Sequence, residues 1–121
     1  MDGEPGVDRV EQILRREPVL LPFIVSLGVY YVSLQEQGEQ AANTRYAMLK
    51  ALDVTRLSEV SESVLLTAGR LKARYRISLT DAIIAAFARV HDAVLVHKDP
   101  EFEALAGPVW LEALPYKARK H

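Results

Sequence analysis

Apolar residues recur along this chain in two modes: at three-to-four-residue spacing over long stretches, and in short unbroken runs between those stretches. Val7, Val10 and Leu14 suit one face of a short helix that Pro18 bounds. Val19–Leu21 reads as a brief strand, after which Phe23, Leu27, Tyr30, Tyr31 and Leu34 return to helical spacing and Gly38 makes a natural stop. A third helix follows from about Glu39, with Ala42, Tyr46 and Leu49 on one face, and Asp53–Leu57 is a short strand. Val64, Ala68, Leu71 and Tyr75 mark another amphipathic helix, which Ser61 would N-cap. Ser78 then opens an almost wholly apolar helix, Ala93–Val96 is a buried strand and Val109–Leu111 a last one. Helices alternating with short strands predict an α/β layer built on a parallel sheet.

Two acids stand where that architecture concentrates chemistry. Asp81 lies at the start of the apolar helix and Asp99, eighteen residues later, stands just past the run Ala93–Val96, after His97 and Lys98. In open α/β sheets, helix N-termini and the carboxyl ends of strands converge on one crevice. Two carboxylates meeting there form a candidate site for a hard divalent cation. Each also has a plain structural role. Asp81 is three residues after Ser78, close to a capping box, and Asp99-Pro100 is an ordinary N-cap followed by a first-turn proline. Glu101 fits a first-turn charge better than an outer ligand.

Composition narrows the alternatives. At 121 residues and 50% apolar, the chain has material for one core, and a formal charge of −1 gives it no global attraction to nucleic acid or anionic lipid. It has no cysteine, so disulfides, thiolate metal sites and cysteine nucleophiles are excluded. The acidic opening Met1-Asp2-Gly3-Glu4 is unlike a signal peptide. The longest apolar run, Pro18–Val32, contains two prolines and falls short of the roughly 20 residues of a membrane span. His91, His97 and His121 show no zinc-ligand spacing, and a histidine at a strand end such as His97 is expected to be partly exposed. Arg70, Lys72, Arg74 and Arg76 alternate around a helix rather than forming one stripe, and Lys117, Arg119 and Lys120 make a basic tail. Gly28 interrupts a good helix at a cost of about 1 kcal/mol relative to alanine, for which close packing against a neighbouring backbone is one account.

The run Ser78-Leu79-Thr80-Asp81-Ala82-Ile83-Ile84-Ala85-Ala86, followed by Val94-Leu95-Val96-His97-Lys98-Asp99-Pro100-Glu101-Phe102, resembles the second half of a PIN domain. Val19–Ile24 leading into Val29-Tyr30-Tyr31, then Leu71–Tyr75, sit where that family has similar runs, so the likeness spans most of the chain. It implies a PIN-like three-layer α/β fold, a short parallel sheet flanked by helices, with residues 1–121 as one domain truncated at its N-terminus. It also implies metal-dependent cleavage of RNA, as in the toxins of VapBC toxin–antitoxin pairs, in a cytoplasmic protein. Asp81 and Asp99 match metal-binding acids of the family and become the catalytic and metal-binding candidates, with Mg²⁺ or Mn²⁺ as cofactor. RNA and an antitoxin are the implied partners. Relatives often carry threonine where His97 stands. Two departures matter. The family's opening strand, with its first aspartate, has no counterpart here, and its helical glutamate appears as Gly28. Impaired or absent catalysis is therefore expected, the alternative being a non-catalytic interaction module that keeps the fold. The opening strand sits mid-sheet in the family, so its absence leaves strand edges to be covered, and a homodimer or larger assembly is expected.

Overall fold

A computed structural model describes residues 6–114, leaving the basic tail of Lys117, Arg119 and Lys120 outside the described residues. Helix α1 spans Val7–Arg16, with Asp8 in its first turn and Arg15 and Arg16 in its last, charges that suit the helix dipole. None of its residues is fully buried. A fork from Arg9 to Glu112, at 2.7 and 3.0 Å, ties it to the far end of the chain.

Strand β1, Leu20–Pro22, runs straight into helix α2, Phe23–Gln37, because Pro22 ends the strand and caps the helix with extended backbone. Gly38 closes α2 and opens α3, Glu39–Ala51, at φ 91° and ψ 177°. That conformation is essentially confined to glycine. The resulting hairpin is sewn by Tyr30 donating to Asn43 at 2.9 Å and by Arg45 donating to Ser33 at 3.0 Å and Gln37 at 2.8 Å. Strand β2, Thr55–Leu57, lies parallel to β1 with Leu20 opposite Thr55. Its Arg56 side chain turns back to the carbonyls of Leu49 and Lys50, both at 2.7 Å, and satisfies the open end of α3.

Helix α4, Glu62–Arg74, is N-capped by Ser61, whose hydroxyl accepts from Val64 N–H at 3.2 Å. Helix α5, Leu79–Val90, packs against it and supplies Ala82, Ala85, Ala86 and Phe87 to the core alongside Val64, Ala68 and Leu71 of α4. Three alanines on one face let the two backbones approach closely. Phe87 then reaches across to Phe23 of α2, edge to face at 6.2 Å between ring centroids. After α5, Asp92 takes a left-handed conformation at φ 51° and the chain enters β3, Leu95–His97. A 3₁₀ helix, Pro100–Leu105, returns the chain to β4, Leu111–Ala113, parallel to β3 with Leu95 opposite Leu111. Among the described residues, no helix is long and apolar enough to cross a membrane.

The α/β class and its parallel pairing match the sequence reading, with two differences. The four strands form two separate two-stranded sheets, because no described strand joins β1–β2 to β3–β4. The last strand begins at Leu111 rather than Val109, whose N–H still bonds to Leu105 at 2.9 Å while its side chain is buried in the core.

The glycine inside α2 and the glycine between α2 and α3 should respond in opposite directions to alanine. A Cβ at either Gly28 or Gly38 meets nothing within 4 Å, so backbone conformation alone sets the outcome. Gly28→Ala should stabilise the fold by about 0.5–1 kcal/mol, and Gly38→Ala should destabilise it by about 1–3 kcal/mol. Urea unfolding of the two variants measures both.

Candidate metal centre

The start of α5 is built by an exchange of hydrogen bonds that its own sequence does not predict. Ser78 caps the helix, its hydroxyl accepting from Asp81 N–H at 3.1 Å. In a capping box the residue at the Asp81 position would answer by accepting from the backbone N–H of Ser78. That N–H instead donates to Glu101 Oε1 at 2.6 Å, from the 3₁₀ helix twenty-three residues on. The carboxylate of Asp81 is thereby released from the reciprocal half of the cap. Asp99 caps the 3₁₀ helix in turn, accepting from Glu101 N–H at 2.9 Å through one oxygen and placing Pro100 in the first turn.

Both structural roles anticipated for these acids are thus partly realised, and the two acids also come together. Asp81, Asp99 and Glu101 are each half-buried, and each offers a carboxylate oxygen within 4.8 Å of the others. Glu101 is a first-turn charge of the 3₁₀ helix, as its sequence position suggests, and it also reaches the start of α5. Its two-residue offset from Asp99 was the available signal, because a turn of 3₁₀ helix folds it back over the strand end. Partial burial, reinforced by the neighbouring acids, raises the Asp81 carboxyl from its usual 3.8 to about 6. Burial is the largest cause, followed by the hydrogen bond and repulsion from Glu101 and repulsion from Asp99, with the Ser78 hydroxyl acting in the other direction. Oxygen ligands clustered at this spacing, held against one another's repulsion, suit a hard cation such as Mg²⁺ or Mn²⁺.

His97 departs from expectation. Its ring is buried rather than partly exposed, packed against Phe102 at 5.3 Å, because the last residue of β3 points into the core. Nε2 lies 3.3 Å from Glu103 Oε2 but outside hydrogen-bonding geometry, and among the described residues neither ring nitrogen has a hydrogen-bond partner. Arg70, Lys72, Arg74 and Arg76 are all exposed, as a solvated charged face requires. Gly28 has open space around it, so close packing within the chain does not explain it.

Parallel strand pairs under helices, with three acids gathered where a helix starts and a strand ends, define an α/β domain of the kind that carries its chemistry at the strand ends. The chain belongs to the PIN domain family, whose model matches residues 1–108. Its fold is similar to that of three solved toxin–antitoxin structures. A VapBC2 complex of Rickettsia felis, bound to a DNA fragment from its promoter, superposes with a TM-score of 0.71 at 17% identity, over 89% of this chain and 83% of that one. VapBC-1 from nontypeable Haemophilus influenzae gives 0.69 at 21% identity, over 88% and 81%. A toxin–antitoxin complex from Klebsiella pneumoniae gives 0.57 at 24% identity, over 84% and 80%. No curated protein matches the chain in sequence.

The raised Asp81 carboxyl has a pH consequence with a definite sign. The folded state binds its proton more tightly than the unfolded chain, so this site's contribution to stability falls as pH rises from about 4 through about 6. The Arg9–Glu112 pair acts oppositely, since the Glu112 carboxyl is lowered by its guanidinium partner, but it is common to any Asp81 variant. The melting temperature of Asp81→Asn minus that of the wild-type chain should therefore increase across this window and level off above about pH 7. A flat difference would show that Asp81 ionises normally.

Proposed function

We propose that this PIN domain binds one divalent cation, Mg²⁺ or Mn²⁺, through Asp81 and Asp99 with help from Glu101, and that its chemistry is directed at RNA phosphodiesters. The observation that carries this reading is the release of the Asp81 carboxylate by Glu101, which turns two capping acids into a three-acid cluster. Asp81 and Asp99 are the ligands and catalytic residues in this reading. Glu101 keeps one oxygen on the Ser78 N–H and has the other to offer. When bound, the cation polarises the phosphoryl group and lowers the pKa of a bound water. Magnesium is usually held by one or two protein carboxylates plus substrate phosphates, so the cluster suffices for binding. Exposed Arg74 and Arg76 lead into Ser78 and bring positive charge along the chain to the same helix start.

Catalysis is impaired in this reading, because Gly28 stands where the family's helical glutamate would be. An antitoxin is the proposed protein partner, in line with the toxin–antitoxin complexes that share the fold. A cytoplasmic setting, a single unit over residues 1–121 and self-association complete the proposal. The second reading is a non-catalytic interaction module. It is favoured by α2, a helix apolar nearly all round of which only Ser33 is buried, with Leu27 and Tyr31 each 51% exposed.

Two measurements test this. Calorimetric titration with Mn²⁺ at about pH 8 should show one weak site that Asp81→Asn and Asp99→Asn each abolish. Fluorogenic RNA in Mg²⁺ or Mn²⁺ should be cleaved at or near background, and Gly28→Glu should tighten Mn²⁺ binding where Gly28→Ala does not. Robust wild-type cleavage that Asp81→Ala abolishes would overturn the impairment. No Mn²⁺ site at all would leave the interaction module.

A further inference from the structure

His97 is a buried polar side chain for which the acid cluster has no use. Two polar side chains are buried among the described residues, Ser33 and His97. Ser33 accepts from Arg45 at 3.0 Å. The His97 side chain is 2% exposed, and among the described residues neither of its ring nitrogens has a hydrogen-bond partner. Buried polar atoms are costly to leave unpaired, and one that lacks a protein partner commonly serves a water or an ion.

The surroundings of the ring choose between these. Nε2 lies 3.3 Å from Glu103 Oε2, and the Glu103 side chain is 52% exposed. This carboxylate thus faces the imidazole on one side and solvent on the other, which gives an ion a way in. The pair meets the distance of a hydrogen bond without its direction, so the ring nitrogen aims to one side of the oxygen. A water at hydrogen-bond lengths near 2.8 Å bridges partners that stand about 4.5 Å apart, wider than this pair. Two ligands of a tetrahedral ion at about 2.0 Å stand about 3.3 Å apart, and neighbouring ligands of an octahedral ion at about 2.1 Å stand about 3.0 Å apart. The observed spacing is the tetrahedral one. Such an ion sits off the line from nitrogen to oxygen, so ligation requires the same oblique aim that rules out a hydrogen bond.

We propose that Nε2 of His97 and the Glu103 carboxylate form a second cation site, separate from the acid cluster, for a tetrahedral ion of which Zn²⁺ is the best match. One imidazole and one carboxylate suit zinc, whereas a cluster of carboxylates alone suits Mg²⁺ or Mn²⁺. Nδ1 carries the ring proton, and water fills the remaining positions. Two protein ligands are fewer than a catalytic zinc site has, so binding is weak. The ion ties the last residue of β3 to the 3₁₀ helix that carries Glu101, reinforcing the packing of Phe102 on the same ring at 5.3 Å. Neither ligand belongs to the acid cluster, so this site stands whether or not that cluster binds Mn²⁺.

Co²⁺ is the probe, because it replaces zinc in tetrahedral sites and absorbs visible light far more strongly there than in octahedral ones. It is titrated at about pH 7.5, where an ordinary imidazole is neutral, into a chain carrying Asp81→Asn and Asp99→Asn to silence the acid cluster. A saturable tetrahedral spectrum that Zn²⁺ displaces is expected. His97→Phe and Glu103→Gln, each added to that chain, should weaken binding by about tenfold or more. Phenylalanine keeps a ring against Phe102 and Glu103 is half-exposed, so a melting curve identifies a folded variant on which to read the loss. Absence of a tetrahedral spectrum would overturn the site and leave His97 and Glu103 as an ion pair only. A spectrum that neither substitution moves would put the ion on other residues and overturn it equally.

Discussion

Close packing of α5 against α4 is the constraint from which the rest of this structure follows. Ala82, Ala85 and Ala86 are fully buried, and side chains this small let the helix axes approach until Val64, Ala68 and Leu71 interlock with them. Phe87 supplies the volume the alanines lack and carries the core outward, meeting Phe23 at the N-terminus of α2. Phe102, Leu105 and Val109 close the other side, which holds the 3₁₀ helix against the start of α5. With helix and 3₁₀ turn fixed in that relation, Glu101 meets the Ser78 N–H and the acids converge. The core and the candidate metal centre are thus one arrangement seen from two sides.

That convergence is held against electrostatic cost. Three half-buried carboxylates each offer an oxygen within 4.8 Å of the others, and burial together with their mutual repulsion raises the proton affinity of Asp81. The backbone donors at Ser78 and Glu101 offset part of this by stabilising Glu101 and Asp99 in place. Two of the three acids are thus positioned by backbone hydrogen bonds, which is the fixed geometry the proposed cation site requires.

The hairpin of α2 and α3 has a different character. Its two helices are joined by polar stitches, Tyr30 to Asn43 and Arg45 to Ser33 and Gln37, while much of its apolar surface faces outward. In most soluble domains the pattern is reversed, with apolar seams and polar outer faces. The hairpin also joins α5 through Phe23, so whatever covers its outer surface bears on the element that carries Asp81.

Periodicity alone determined the order of helices and strands and the α/β class, because apolar spacing at 3.6 residues and short β-branched runs are local properties. Ser61 and Ser78 as caps, Gly38 as the hairpin break and the placing of Asp81 and Asp99 at element ends were legible for the same reason. What sequence could not supply was any fact that depends on two distant segments meeting. Glu101 taking the Ser78 N–H is a contact across twenty-three residues, and it alone converts Asp81 from a cap into a cluster member. The burial of His97 depends on Phe102 folding over it, and the split of the strands into two pairs depends on which strands find neighbours. Gly28 shows the same limit from the other direction: the sequence marked it as unusual, but only the open space around it in the folded chain removed internal packing as the reason. Local preferences act over one turn of helix, whereas hydrogen-bond exchange, burial and charge crowding are decided by through-space neighbours that only the folded chain brings together.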